Sequence, residues 1–190
     1  MADRPGRWLN MLAALVFLLQ ASAQSECFES ASERESLLQL AEDRFDLYDD
    51  SGWRLVSSRG GHCRIPAAEL ILDYIDLSDE EGLERSYLLH WHAGQLFAFA
   101  DETADALRQF RLAYVSPQSS SDAIVAWNAY VTGTIAFLED DWSGLTQARA
   151  EMPSVNAPNR PVLDGLINCF GQPYRVAYSQ RCRRLTDNSE

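Results

Sequence analysis

The chain has 190 residues, 28 of them acidic against 16 basic, and a formal net charge of −12. All the basic residues are arginine, which we read as the signature of a GC-rich coding sequence rather than of chemistry. Such a polyanion argues against nucleic acid and against anionic membrane surfaces as partners.

The amino terminus gives an address. Arg4 and Arg7 precede an apolar run over residues 11–19, and Ala21-Ser22-Ala23 supplies small residues for cleavage. This is the three-part pattern of a secretory signal peptide. Spanning a bilayer as a helix takes roughly 20 apolar residues, about twice this run. The expectation is a leader over residues 1–23, cleaved after Ala23, and a mature chain, residues 24–190, that is periplasmic or secreted. No second apolar stretch is long enough to span, so the mature chain is expected to be soluble. Loss of Arg4 and Arg7 with only Asp3 makes it more acidic still.

Next comes a degenerate capping hairpin, residues 24–77. Ser32 and Glu35 have capping-box spacing ahead of a helical stripe of Leu37, Leu38, Ala41, Phe45 and Tyr48. Asp50-Ser51-Gly52 is expected to stop that helix. Residues 53–59 are ambiguous between an extended piece and a helical turn, and Gly60-Gly61 breaks the chain. Pro66 suits the start of a helix running to about Asp76.

Residues 78–152 read as two helical hairpins. Ser78 and Glu81 repeat the capping-box spacing, which predicts that the first helix begins at Ser78. Leu83, Tyr87, Trp91, Gly94 and Phe97 line one face, and Leu88, Leu89, Leu96 and Phe99 occupy others, so this helix is expected to be buried. Its partner, about residues 103–115, carries a stripe of Ala106, Leu107, Phe110, Ala113 and Tyr114 with Gln109 outside. A polar linker leads to Ser121 as N-cap and to an uncharged helix over residues 124–138. After the turn Glu139-Asp140-Asp141, the stripe Trp142, Leu145, Ala148 and Met152 follows. Residues 162–182 are then expected to form a carboxy-terminal cap: a short helix over residues 162–170 stopped by Gly171, then one more short helix over residues 174–182, within an aromatic-rich loop between Cys169 and Cys182.

Four cysteines in an exported chain imply two disulfides. Three connectivities are open. The local one, Cys27 with Cys63 and Cys169 with Cys182, is favoured because each pair flanks one structural unit. Metal binding competes, but no pair has the C-x-x-C spacing of a zinc site.

Gly94, Phe97, Ala106, Phe110 and Ala113, with Pro117 one residue early, fall at the spacings of tetratricopeptide repeats, which the first hairpin resembles. In the second, Gly133, Ala136 and Leu145 keep the offsets, but Arg149 replaces the expected aromatic. The resemblance spans residues 81–152 and implies an all-α fold, a short stack of antiparallel helical hairpins with disulfide-closed ends. It also implies a concave face drawn from the first helices. That face would hold Trp91, Gln95, Phe99, Trp127, Tyr130 and Thr134, an aromatic groove suited to an extended or helical peptide. The alternatives are that these aromatics are core, or that the loop between Cys169 and Cys182 folds back and fills the groove.

Catalytic signatures are missing: the sequence holds no G-x-S-x-G, P-loop, G-x-G-x-x-G or C-x-x-C. His90 and His92, two apart on a helix, point to different sides and cannot share a metal. His62 beside Cys63 suggests a thiol–imidazole pair, which a disulfide at Cys63 would silence. The acidic clusters at residues 79–81 and 139–141 are expected at helix starts, where they complement the dipole. No catalytic residue, metal or cofactor is expected. The reading is an exported interaction module with an unidentified protein or peptide partner. An acidic inhibitor or accessory protein of a cationic partner is the alternative, and an enzyme of unrecognised type comes last.

Overall fold

The structure, a computed structural model, describes residues 26–78, 82–116, 121–153 and 158–184. The leader and its cleavage site, the cluster at residues 79–81 and Pro117 lie outside the described residues. The fold is all-α, with no strand among the described residues, and both disulfides have the local connectivity, Cys27–Cys63 and Cys169–Cys182. The chain divides into two compact units, one up to Leu77 and one from Ser78 onward.

The first unit contains α1 (Ala31–Leu38), α2 (Glu42–Asp46), α3 (Gly52–Ser58), a 3-10 turn (Gly61–Cys63) and α4 (Arg64–Ser78). The long helix expected through Tyr48 is in fact two short ones. Its cap is Ser30, not Ser32: the Ser30 hydroxyl accepts the Glu33 N–H at 3.1 Å. Ala41 and Tyr48 face solvent, while Leu37 and Phe45 enter the core. The break lets Phe45 stack on Tyr74 of α4 with centroids 3.8 Å apart, and the Tyr74 hydroxyl donates to the Leu40 carbonyl in the break at 2.9 Å. Gly52 does not stop a helix but opens α3. Its φ is +53°, and a Cβ there would stand 1.9 Å from the Phe45 carbonyl oxygen. The ambiguous residues 53–59 are thereby resolved as helix up to Ser58.

The second unit contains α5 (Ser86–Phe99), α6 (Thr103–Leu112), α7 (Asp122–Leu138), α8 (Trp142–Glu151), α9 (Arg160–Asn168), α10 (Tyr174–Ala177) and α11 (Gln180–Arg183). Ser78 does not cap α5. It is the last residue of α4, whose apolar face of Leu70, Ile71, Tyr74 and Ile75 is buried, and α5 starts only at Ser86, after Gly82. The capping-box spacing there misleads because a helix already packed on one side can run through a serine. Helix α6 ends at Leu112 rather than near residue 115. Ser121 caps α7 as expected, accepting the Ile124 N–H at 3.4 Å.

Helices α5–α6 and α7–α8 form two hairpins whose turns match at a spacing of 39 residues. The Glu102 N–H donates to the Phe97 carbonyl at 2.9 Å, and the Asp141 N–H to the Ala136 carbonyl at 2.8 Å. Asp101 (φ 65°) and Asp140 (φ 57°) hold the left-handed position in each, so both turns are Schellman motifs. The expected placement of the second acidic cluster is therefore split: Asp140 ends α7, while Asp141 caps α8 by accepting the Gly144 N–H at 2.9 Å.

The helix crossings show how the second hairpin departs from the first. A Cβ at Gly94 would meet the Phe110 ring at 2.8 Å, so Phe110 of α6 fills the notch in α5. A Cβ at Gly133 would meet Leu163 at 2.8 Å instead. Arg149, at the position equivalent to Phe110, turns to Asp164 at 2.5 and 3.1 Å. Leu163 of α9 thus supplies the apolar plug that Arg149 cannot.

Candidate functional site

The structure brings three of the expected groove residues, Trp91, Trp127 and Tyr130, into ring contact, and much of the set is buried. Trp91 lies 4.4 Å from Tyr130 and 5.2 Å from Trp127, ring centroid to centroid. Trp91, Tyr130 and Thr134 are buried, and Gln95, Phe99 and Trp127 are half-buried. The Trp127 indole donates to the Ala113 carbonyl at 2.8 Å. Its polar edge therefore ties α7 to the end of α6.

What covers this face is the disulfide-closed loop. Tyr174 of α10 lies 5.2 Å from Phe99, and Tyr178 lies 5.3 Å from it. Tyr174 also contacts Phe110 and Phe137, at 6.4 and 6.1 Å, and so reaches residues of both hairpins. The Arg183 guanidinium sits over the Tyr178 ring at 4.5 Å. Burial pushes the Tyr130 phenol well above its ordinary range, with the neighbouring Tyr174 and Tyr178 phenols adding to the shift. Burial does the same to Tyr174. The Tyr174 hydroxyl lies beside the Gln95 amide without a well-formed hydrogen bond, and the buried Thr134 hydroxyl likewise has no hydrogen-bond partner. Such groups each cost free energy, so this face is a tightly filled polar-aromatic layer rather than an ideal core.

Tyr174 and Tyr178 are the residues that reading the groove off α5 and α7 left out. Their signal was their i, i+4 spacing inside a loop closed by two cysteines, which places both rings on one side of a short helical stretch.

A cleft of about 280 Å³ opens at the turn end of the two hairpins. Asp101 and Thr103 line it from the first turn, Phe137 and Asp140 from the second, and Pro173 and Tyr174 from the loop. Asp101 is paired with Arg175 across an exposed rim. The two aspartates stand at the C-terminal ends of α5 and α7, where the helix dipoles add negative potential to their own.

The histidines separate as expected. His90 is buried and its Nδ1 shares a hydrogen bond with Gln109 Oε1 at 2.8 Å, which explains why Gln109, expected outside, is buried. His92 is half-buried on another side of α5. The stripe of α8 is buried at Leu145, Ala148 and Met152, but Trp142 is 49 % exposed, with its edge on Phe170. Among the described residues, the one His, Cys and carboxylate group compact enough for a metal is Cys27, His62 and Cys63, whose ligand atoms lie within 4.8 Å of one another. No helix of the described residues is long and apolar enough to cross a membrane. No protein-family model matches the chain, and neither does any curated protein or solved structure.

Proposed function

We propose that this chain is an exported, tetratricopeptide-like interaction module that acts by holding a protein or peptide partner. The observation that carries the reading is the repetition of α5–α6 in α7–α8. Matching Schellman turns and a glycine notch in each first helix recur 39 residues apart. Stacked hairpins of this kind offer extended surfaces to partners. The two disulfides and the leader pattern support action outside the cytoplasm. Because Tyr174 and Tyr178 cover the aromatic face, a partner engages either the outer surface or that face after the loop has moved.

The test begins with the exported protein, whose first residue by mass spectrometry is expected to be Gln24. A partner captured from the same compartment is then titrated, purified, against the wild type and against surface variants. Saturable binding that a Tyr178→Ala variant strengthens points to a face the loop covers. Binding lost only when outer residues change places it elsewhere. Lack of any saturable partner would sink the module reading.

A second reading, an accessory protein for a cationic partner, is favoured by the cleft carrying Asp101 and Asp140. Its binding would weaken steeply with salt and fall in an Asp140→Asn variant, whereas an aromatic contact would be almost indifferent to both.

A further inference from the structure

The sequence places His62 beside Cys63, and the fold adds Cys27 from 36 residues away. Both sulfurs and an imidazole nitrogen lie within 4.8 Å of one another. We propose that in the dithiol state Cys27, His62 and Cys63 form a three-ligand site for a borderline-soft divalent cation, Zn²⁺ above all. The proposal concerns the first unit alone and is independent of the hairpin reading.

The scaffold around the three donors is held by contacts other than the S–S bond. The Cys27 carbonyl accepts from Arg59 Nη1 at 2.8 Å, and Arg59 is itself fixed by Glu33 at 2.5 and 2.9 Å. His62 and Cys63 sit on the 3-10 turn, where the Cys63 N–H donates to the Gly60 carbonyl at 3.0 Å. Zn–S and Zn–N bonds of about 2.3 and 2.0 Å in tetrahedral geometry need sulfurs about 3.8 Å apart. The two Cα atoms stand 5.4 Å apart, and on that span the opening in the dithiol state comes from rotation of the two cysteine side chains.

Donor chemistry and burial choose the cation. Two thiolates and a neutral imidazole cancel a double positive charge, and a neutral complex suits sulfurs that are fully buried. Hard cations such as Ca²⁺ and Mg²⁺ want oxygen ligands and are not served here. His62 is exposed, so a fourth position, filled by water, lies toward solvent.

Oxidation and metal binding compete for the same sulfurs. A dithiol reductant passes two electrons and two protons to the Cys27–Cys63 bond, giving two thiols and becoming a disulfide itself. Zn²⁺ then displaces the two thiol protons. In reverse, the two thiolates pass two electrons to a disulfide oxidant, whose S–S bond breaks and takes up two protons from solvent, while the Cys27–Cys63 bond forms and Zn²⁺ is released.

The test reduces the full chain with a phosphine under anaerobic conditions and titrates it with Co²⁺ and then Zn²⁺. One Co²⁺ per chain with sulfur-to-cobalt charge-transfer and tetrahedral ligand-field bands is expected. The C169S/C182S double variant should keep the bands, Cys27→Ser should lose them, and His62→Ala should weaken binding at least about tenfold. The disulfide form should bind no metal with thiolate bands. Absent bands in the reduced wild type, bands that survive Cys27→Ser, or an unchanged affinity in His62→Ala would each overturn the site. Should reduction unfold the first unit, recovery of helicity on adding Zn²⁺ supports the proposal, and no recovery at saturating Zn²⁺ refutes it.

Discussion

Trp91 and Tyr130 pack with ring centroids 4.4 Å apart and planes inclined at 46°, one from the first helix of each hairpin. Their contact joins the two hairpins, and Tyr130 is 2 % exposed. Tyr130→Ala should therefore cost about 3–5 kcal/mol, the usual range for removing a large buried aromatic. Urea denaturation measures it. A loss under about 1 kcal/mol would mean that the face is open and that Tyr130 is a surface residue.

Gly94→Ala should destabilise despite the better helix propensity of alanine. The new Cβ would stand 2.8 Å from the Phe110 ring, and overpacking of this kind costs about 1–3 kcal/mol, against a propensity gain of about 1 kcal/mol. Adding Phe110→Leu should return part of the loss. Thermal melts of the two single variants and the double variant would show non-additivity, and strictly additive losses would disprove the notch.

Glu33 and Arg59 give the first unit a pH dependence. The Arg59 hydrogen bond holds the Glu33 carboxyl below its ordinary value of 4.5, and Arg59 is raised in return. A depressed carboxylate contributes stability above its unfolded value, and that contribution is lost as pH falls through the folded one. The wild type should lose stability as pH drops below about 4.5. Glu33→Gln should be less stable near neutrality and show a shallower acid slope, as read by chemical denaturation across pH 3–7.

The Cys169–Cys182 bond closes the loop that covers the aromatic face, across a sequence separation of 13. The C169S/C182S variant should lose about 3 kcal/mol in the chain-entropy model. It should also loosen Tyr174 and Tyr178, seen as a weaker near-ultraviolet circular dichroism signal with helix content retained. An unchanged aromatic signal would show that packing alone seats the loop.

How much was legible in the sequence follows from the range of the forces involved. Composition, the 3.6-residue periodicity and the cysteine count are local or additive, and they determined the helical class, the Ser121 cap and the two disulfides. The glycines 39 residues apart likewise revealed the repetition of the hairpins. Ser78 and Ser32 failed as caps because capping spacing says where a helix can begin, and packing decides whether it does. Gln109 looked like a surface residue until His90 arrived from another helix to bond it. Leu163 could not be assigned to the Gly133 notch while the residue at the expected position was Arg149. Of the expected groove residues, Trp91, Trp127 and Tyr130 do meet, since helical spacing puts the rings of each first helix on a shared face. Only the tertiary structure decided that Tyr174 and Tyr178 fill that face, because the contact joins segments remote in sequence and its free energy lies in the fit between them.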